Sequence, residues 1–239
     1  MFFLFSGEGP TDLGICADGA EQCDGERYHF GPMTVIVSQI VEEWHGYSLL
    51  DTGYFGFVRK SVLKSRADEL KNVSRKAIKL PGPKRGRETR YFFNNARVLG
   101  RIAMERETGL GDQVVAVLFR DSDGSGSAGR GLWADKYKSM LDGFGEDGFT
   151  RGVGMLPKPK SEAWVICAVK HQYQSCEQLE DRSGNDNSPN SLKGELSDHL
   201  GELPGRDALC EMVTDRTIDI SQIKMPSFAA FKARLEEVI

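Results

Sequence analysis

Two apolar runs in this chain each end in carboxylates. Phe2–Phe5 leads into Gly7-Glu8-Gly9-Pro10-Thr11-Asp12, and the apolar run from Val114 leads through Arg120 into Asp121-Ser122-Asp123. Wholly apolar runs of this length read as strands covered on both faces. Open α/β sheets bind ligands outside the carboxyl ends of their strands, so Glu8, Asp12, Asp121 and Asp123 would sit on loops leaving neighbouring strand ends. Hard oxygen donors of this kind suit Mg²⁺ or Mn²⁺. One such ion, or two roughly 4 Å apart, can activate water and stabilise the leaving oxygen of a phosphodiester. Taken singly, each acid is also a good turn or capping residue. Taken together on two strand ends, they point to a metal site.

Three further residues could serve the same chemistry. Glu162 follows Pro157-Lys158-Pro159-Lys160 at a helix start, where a carboxylate either complements the helix dipole, completes the metal shell or orients a ligand. Lys158 and Lys160 either hold a scissile phosphate or are solvated turn lysines. Arg120, in an otherwise apolar strand end, is placed to contact phosphate or Glu8. The four histidines show no paired spacing, and neither a GxSxG elbow nor a GxxxxGK[ST] phosphate loop occurs.

The net charge of -4 is unevenly spread. Arg59–Arg101 holds fourteen Lys/Arg against three acids, while the remainder is acidic. A basic stretch of this kind is either a solvated helix face or a surface for an anionic partner, DNA or RNA, with Lys84, Arg85 and Arg87 as the expected backbone contacts.

The elements that must position these groups follow from period and punctuation. Met33–Trp44 places Val37, Ile40, Val41 and Trp44 at helical spacing, and Glu88–Thr108 and Leu132–Phe144 repeat that pattern. Asp112–Arg120 and Gly152–Leu156 read as strands, with one more at either Tyr47–Leu50 or Gly53–Val58. Ser61–Leu80 is expected to be partly helical, and Pro81–Gly86 and Gly124–Gly131 to be loops. Leu13–Pro32 reads as an inserted loop, and Ser183–Pro189 as a mobile polar stretch. Ser161–Val169, Leu192–Leu200, Arg206–Val213 and Ser227–Val238 read as helices. The order predicts a mainly parallel α/β sheet flanked by helices, Rossmann-like, with a helical C-terminal cover.

Hydrophobic content of 39% is enough to fill a core. No apolar run approaches the ~20 residues that a bilayer needs, so no membrane partner is expected. The five cysteines are irregularly spaced and lack a CxxC pair, so they are expected to be free thiols in a reducing cytoplasm.

The strand ending in GEGPTD followed by a strand ending in DSD resembles the Toprim fold of topoisomerases, DnaG-type primases and overcoming-lysogenization-defect (OLD) nucleases. The acid four residues after the glutamate is similar to the OLD version. Pro157–Trp164, PKPKSEAW, and Met225-Pro226-Ser227-Phe228 resemble a small uncharacterised Toprim-like family, often found beside ABC- or SMC-type ATPases in bacterial defence operons. The resemblance implies a catalytic domain over residues 1–175, with an insertion at 15–32 and a basic segment at 59–101. Residues 176–239 would form a helical extension packed on it. It implies Glu8 as metal ligand or general base, Asp121 and Asp123 as metal ligands, and Asp12 as the second OLD acid. Glu162 matches a glutamate of the small family. The implied protein is a Mg²⁺- or Mn²⁺-dependent nuclease, the effector of an anti-phage or toxin system controlled by a partner ATPase. Two other readings stand beside it: a non-catalytic partner or sensor subunit, and a haloacid-dehalogenase-type phosphatase, since LFRDSDGSG partly resembles hhhhDxDGT. No GDxxxD-like segment follows Phe149 to support the phosphatase.

Overall fold

The computed structural model describes residues 1–75, 86–122, 132–170, 175–202 and 204–239. Its centre is a five-stranded sheet of order β3-β5-β1-β6-β7. The strands are β1 (Phe2–Gly7), β3 (Gln22–Asp24), β5 (Phe55–Arg59), β6 (Val114–Phe119) and β7 (Gly152–Met155). All neighbours are parallel except β3, which runs antiparallel to β5 at the edge. This is the expected mainly parallel, Rossmann-like α/β class. The chain leaves β1 through α1 (Pro32–His45) to β5, then returns through α2 (Lys60–Arg75) and α3 (Arg87–Leu110) to β6 on the other side of β1. The direction of winding therefore reverses between β1 and β6, which opens a crevice at their carboxyl ends.

Side chains on a strand alternate between its faces. Phe3, Phe5, Val115 and Val117 join one core with α1, while Phe2, Leu4, Val114 and Ala116 join a second core under α3 and α4 (Trp133–Gly145). Both faces are thus filled, which explains why Phe2–Phe5 of β1 and the whole of β6 are apolar. The α3 and α4 helices meet closely at Gly143, where a Cβ would lie 2.4 Å from the Phe93 carbonyl oxygen. Only a glycine permits that approach.

The α1 face also receives α5 (Ser161–Val169), α6 (Leu192–Leu200), α7 (Arg206–Thr214) and α8 (Pro226–Val238). Trp164 of α5 is fully buried, stacked on Phe231 and edge-on to Phe228, and its indole N–H donates to Ser227 Oγ. The helices past residue 175 therefore share one continuous core with the sheet. No helix among the described residues is long and apolar enough to cross a membrane.

Several expectations are revised. Leu13–Pro32 is not a plain loop: β2 (Gly14–Cys16) and β4 (Tyr28–Phe30) form a small antiparallel sheet, and β3 between them extends the main one. The cysteines are not all free. Cys16 is bonded to Cys23 and Cys167 to Cys176, with Cα atoms 5.7 and 5.4 Å apart, leaving Cys210 as a buried free thiol. The bonds join residues seven and nine positions apart, a proximity that spacing alone does not reveal. Of the two alternatives for the second parallel strand, the chain takes the later one, β5. Trp44, expected on the packed stripe of α1, is 56% exposed in the last turn. The loops expected at Pro81–Gly86 and Gly124–Gly131 fall almost wholly outside the described residues.

Candidate functional site

The loop after β1 is shaped by Gly9. Its φ of +82° is in the left-handed region, and the amides of Asp12 and Leu13 both donate to its carbonyl. A Cβ on Gly9 would lie 2.3 Å from Asp12 Oδ2, so the turn that folds Asp12 back over itself requires glycine. Leu13 is fully buried and anchors the end of the turn.

The loop after β6 is stitched to the Lys-Pro-Lys turn. Arg120 N–H donates to Met155 O, extending the β6–β7 ladder, and Ser122 N–H lies between the carbonyls of Pro157 and Pro159. The two loops then meet at one residue. Ser161, the first residue of α5, donates its backbone N–H to Asp121 Oδ1 at 3.1 Å and its hydroxyl to Asp12 Oδ1 at 2.6 Å. One orphan backbone donor of the helix N-terminus and the hydroxyl of the same residue thereby hold two carboxylates that are far apart in sequence. Burial raises the Asp12 pKa above its ordinary value. The Ser161 hydrogen bond opposes that rise, the charge of Glu162 adds to it, and Thr11 and Lys160 lower it again.

Glu8 is held elsewhere. Its carboxylate pairs with Lys60 Nζ at 2.5 Å, at the start of α2, beside a cleft of about 460 Å³ bounded by Gly7, Pro10, Phe57 and Ser61. Burial lowers the Lys60 pKa, but the Glu8 hydrogen bond and charge, with Tyr91, outweigh it and leave the ammonium above its ordinary value. Lys60 lies 5.7 Å from the centroid of the Tyr91 ring, and the Arg120 guanidinium lies 5.9 Å from the same centroid. Arg120 is fully buried under α3, donating to Phe119 O and, at 3.4 Å, to Asn95 Oδ1. Lys136 of α4, also buried, donates to Ser122 O.

The expected acids are therefore distributed over two flanks. Asp12 and Asp121 come together through Ser161, with Glu162 and Lys160 close enough to act on Asp12, while Glu8 is engaged with Lys60. Lys158 lies 3.5 Å from Asp181 and 3.8 Å from Glu180, and Lys160 pairs with Asp186 at 2.9 Å. Glu180 in turn accepts from the Ser227 amide at the start of α8. The segment expected to be a mobile polar stretch thus supplies a partner to the Lys-Pro-Lys turn. Arg87 opens α3, whereas Asp123, Lys84 and Arg85 lie outside the described residues.

Ser161, Lys60 and Tyr91 are not among the site residues that the sequence singles out. Ser161 carried one signal: a hydroxyl residue opening a helix next to a turn of two prolines. Lys60 and Tyr91 carried none, since their contacts join segments more than thirty residues apart.

As a metal site, the α5 flank fits in donor type. Asp12 is a half-buried carboxylate whose pKa desolvation raises, next to a second acid, which is the situation a hard cation relieves. Among the described residues no group of three acids, histidines or cysteines is disposed to hold an ion, and Asp123 is not among those residues. Comparisons with family models, with curated proteins and with solved structures each give no match.

Proposed function

We propose that this protein is a divalent-metal-dependent nuclease with a Toprim-like site, acting on DNA or RNA. The observation that carries the reading is the Ser161 junction. It brings acids from the β1 and β6 loops to one point at the winding reversal of a parallel sheet. Asp12 and Asp121, with Asp123 two residues on, are the residues that would hold Mg²⁺ or Mn²⁺. The ion, when bound, supplies Lewis acidity for water activation and for the leaving oxygen. The chain's own contribution is positional. Ser161 orients both carboxylates, Lys60 just past the end of β5 pairs with Glu8, and the basic stretch offers Lys84, Arg85 and Arg87 to a phosphate backbone. Glu162 adds negative charge beside Asp12. The resemblance to a Toprim-like family adds the expectation of an ABC- or SMC-type ATPase partner and a role in bacterial defence.

A second reading, a non-catalytic subunit of an ATPase complex, is favoured by one observation: Glu8, Lys158 and Lys160 are each engaged by opposite charges within the chain. One experiment separates the two. Purified protein is incubated with plasmid DNA and with tRNA in Mg²⁺ and in Mn²⁺, beside an Asp121→Ala/Asp123→Ala variant. Cleavage by the wild type that the variant loses supports the nuclease. Equal behaviour on every substrate, with and without the partner, rejects catalysis at this site.

A further inference from the structure

Arg120 presents an uncommon physical situation. Its guanidinium is fully buried at the carboxyl edge of the sheet, and its Nε–H has no hydrogen-bond partner. No described carboxylate pairs with it. Arginine has five donors and cannot shed its proton, so burial without a counter-anion is strongly unfavourable. The other orphaned buried polar atom among the described residues is Ser6 Oγ. Ser6 pairs with Leu118 in the β1–β6 register, so strand alternation sends Ser6, Leu118 and Arg120 to the same face, under α3. Lys60 adds a second cation against the same Tyr91 ring, and its only described carboxylate is Glu8. Tyr91 itself is 38% exposed, so this wall of the site faces solvent.

We infer that this flank is an oxyanion site for one phosphoryl group, with Arg120 Nε–H and Ser6 Oγ–H as the unused donors and Lys60 as the second positive charge. Tyr91 is the outer wall. In the free protein the Glu8 carboxylate occupies Lys60, and an arriving phosphoryl oxygen competes for the same ammonium. The inference deepens the nuclease reading, because it names the group that takes the phosphate and the side of the sheet edge on which it lies. It rests on that reading only for the identity of the polymer. A backbone phosphodiester and a free phosphate or nucleotide share this chemistry.

The test is metal-free binding, which is independent of cleavage. Inorganic phosphate and a short single-stranded oligonucleotide are titrated separately into wild type, Arg120→Met, Arg120→Lys and Lys60→Gln. Thermal unfolding and the Arg Nε–H resonances are followed. In the wild type, ligand at about a hundred times its Kd raises Tm by roughly 5–10 °C, and the Arg120 Nε–H signal shifts. Arg120→Met melts higher than wild type without ligand, because an unpaired buried charge is gone, and shows no ligand-dependent rise. Arg120→Lys and Lys60→Gln bind at least about tenfold more weakly, a loss on the scale of one charged hydrogen bond. A response to oligonucleotide alone assigns a backbone phosphodiester, and a response to inorganic phosphate assigns a free anion. No response of the wild type to either ligand overturns the inference. So does wild-type affinity in Arg120→Met or, if that variant does not fold, in Arg120→Lys. Metal-dependent cleavage that persists in either case leaves the nuclease reading standing, and binding without cleavage does the reverse.

Discussion

The two flanks of the β1–β6 edge hold their charges in different ways. On the α5 flank two half-buried carboxylates accept from neutral donors, a backbone N–H and a hydroxyl of one serine at a helix start, with Lys160 near Asp12. On the α3 flank the charges are cations, met by an aromatic ring, two carbonyl-type oxygens and a single glutamate. A helix N-terminus has spare donors but no acceptors, so it can accommodate anions and cannot accommodate cations. The groups that the two loops aim inward thus differ in sign, carboxylates at the α5 start and the Arg120 guanidinium under α3, while Lys160 beside Asp12 and Glu8 on Lys60 supply the opposite charge at each flank.

The largest expected effect comes from collapsing one flank alone. Trp164→Ala removes the ring on which α5 and α8 pack and is expected to cost about 3–5 kcal/mol in urea unfolding. The comparison breaks if the loss is below 1 kcal/mol. Next, Ser161→Ala removes the hydroxyl that bonds Asp12 and should cost about 1.5–3 kcal/mol at neutral pH. It also pushes the Asp12 pKa further up. Asp12 already titrates above its unfolded value, so its charged form penalises folding at neutral pH. That penalty fades as pH falls through the folded pKa toward 3.8. The cost of Ser161→Ala should therefore shrink on acidification, because the bond it removes is to the carboxylate. A cost that grows at low pH contradicts the assignment.

Asp147 is the corresponding probe on the α3 side. Arg97 first, against the opposing effect of burial, and then Arg101 hold its carboxyl down at about 2. A lowered pKa contributes stability that is present above the unfolded value of 3.8 and is lost as pH falls toward 2. Asp147→Asn should cost about 1 kcal/mol at neutral pH once solvent screening of this partly exposed pair is allowed for, with the difference from wild type closing at low pH. Chemical denaturation across pH 2–6 checks both the size and the sign. The smallest effect belongs to an exposed pair. Lys138→Ala removes an i,i+4 bridge to Asp142 and should change stability by no more than ~0.5 kcal/mol, an effect that added salt abolishes.

Much of the frame was legible in the residues. The runs at β1 and β6 are apolar on every position because both faces are covered, and that property is local. The acids after those strands were visible for the same reason. Asp12 and Asp121 do meet, but the residue that joins them, Ser161, is placed by tertiary packing of Trp164, which no local pattern encodes. The three-residue strands β2, β3 and β4 are too short to show a period, so their segment read as a loop. Arg120 reads in sequence as a contact for phosphate or Glu8, but its burial under Tyr91 and Asn95, and the pairing of Glu8 with Lys60 instead, are not visible there. The disulfides stayed hidden because separations of seven and nine residues suit a turn with or without a bond.

Ser161 and Trp164 lie within one turn of α5, and Phe228 and Phe231 of α8 close over the indole ring. The residue that joins Asp12 to Asp121 therefore stands on a helix seated by aromatic rings of another helix. A substitution at Phe228 or Phe231 replaces neither carboxylate, yet acts on the element that holds them together.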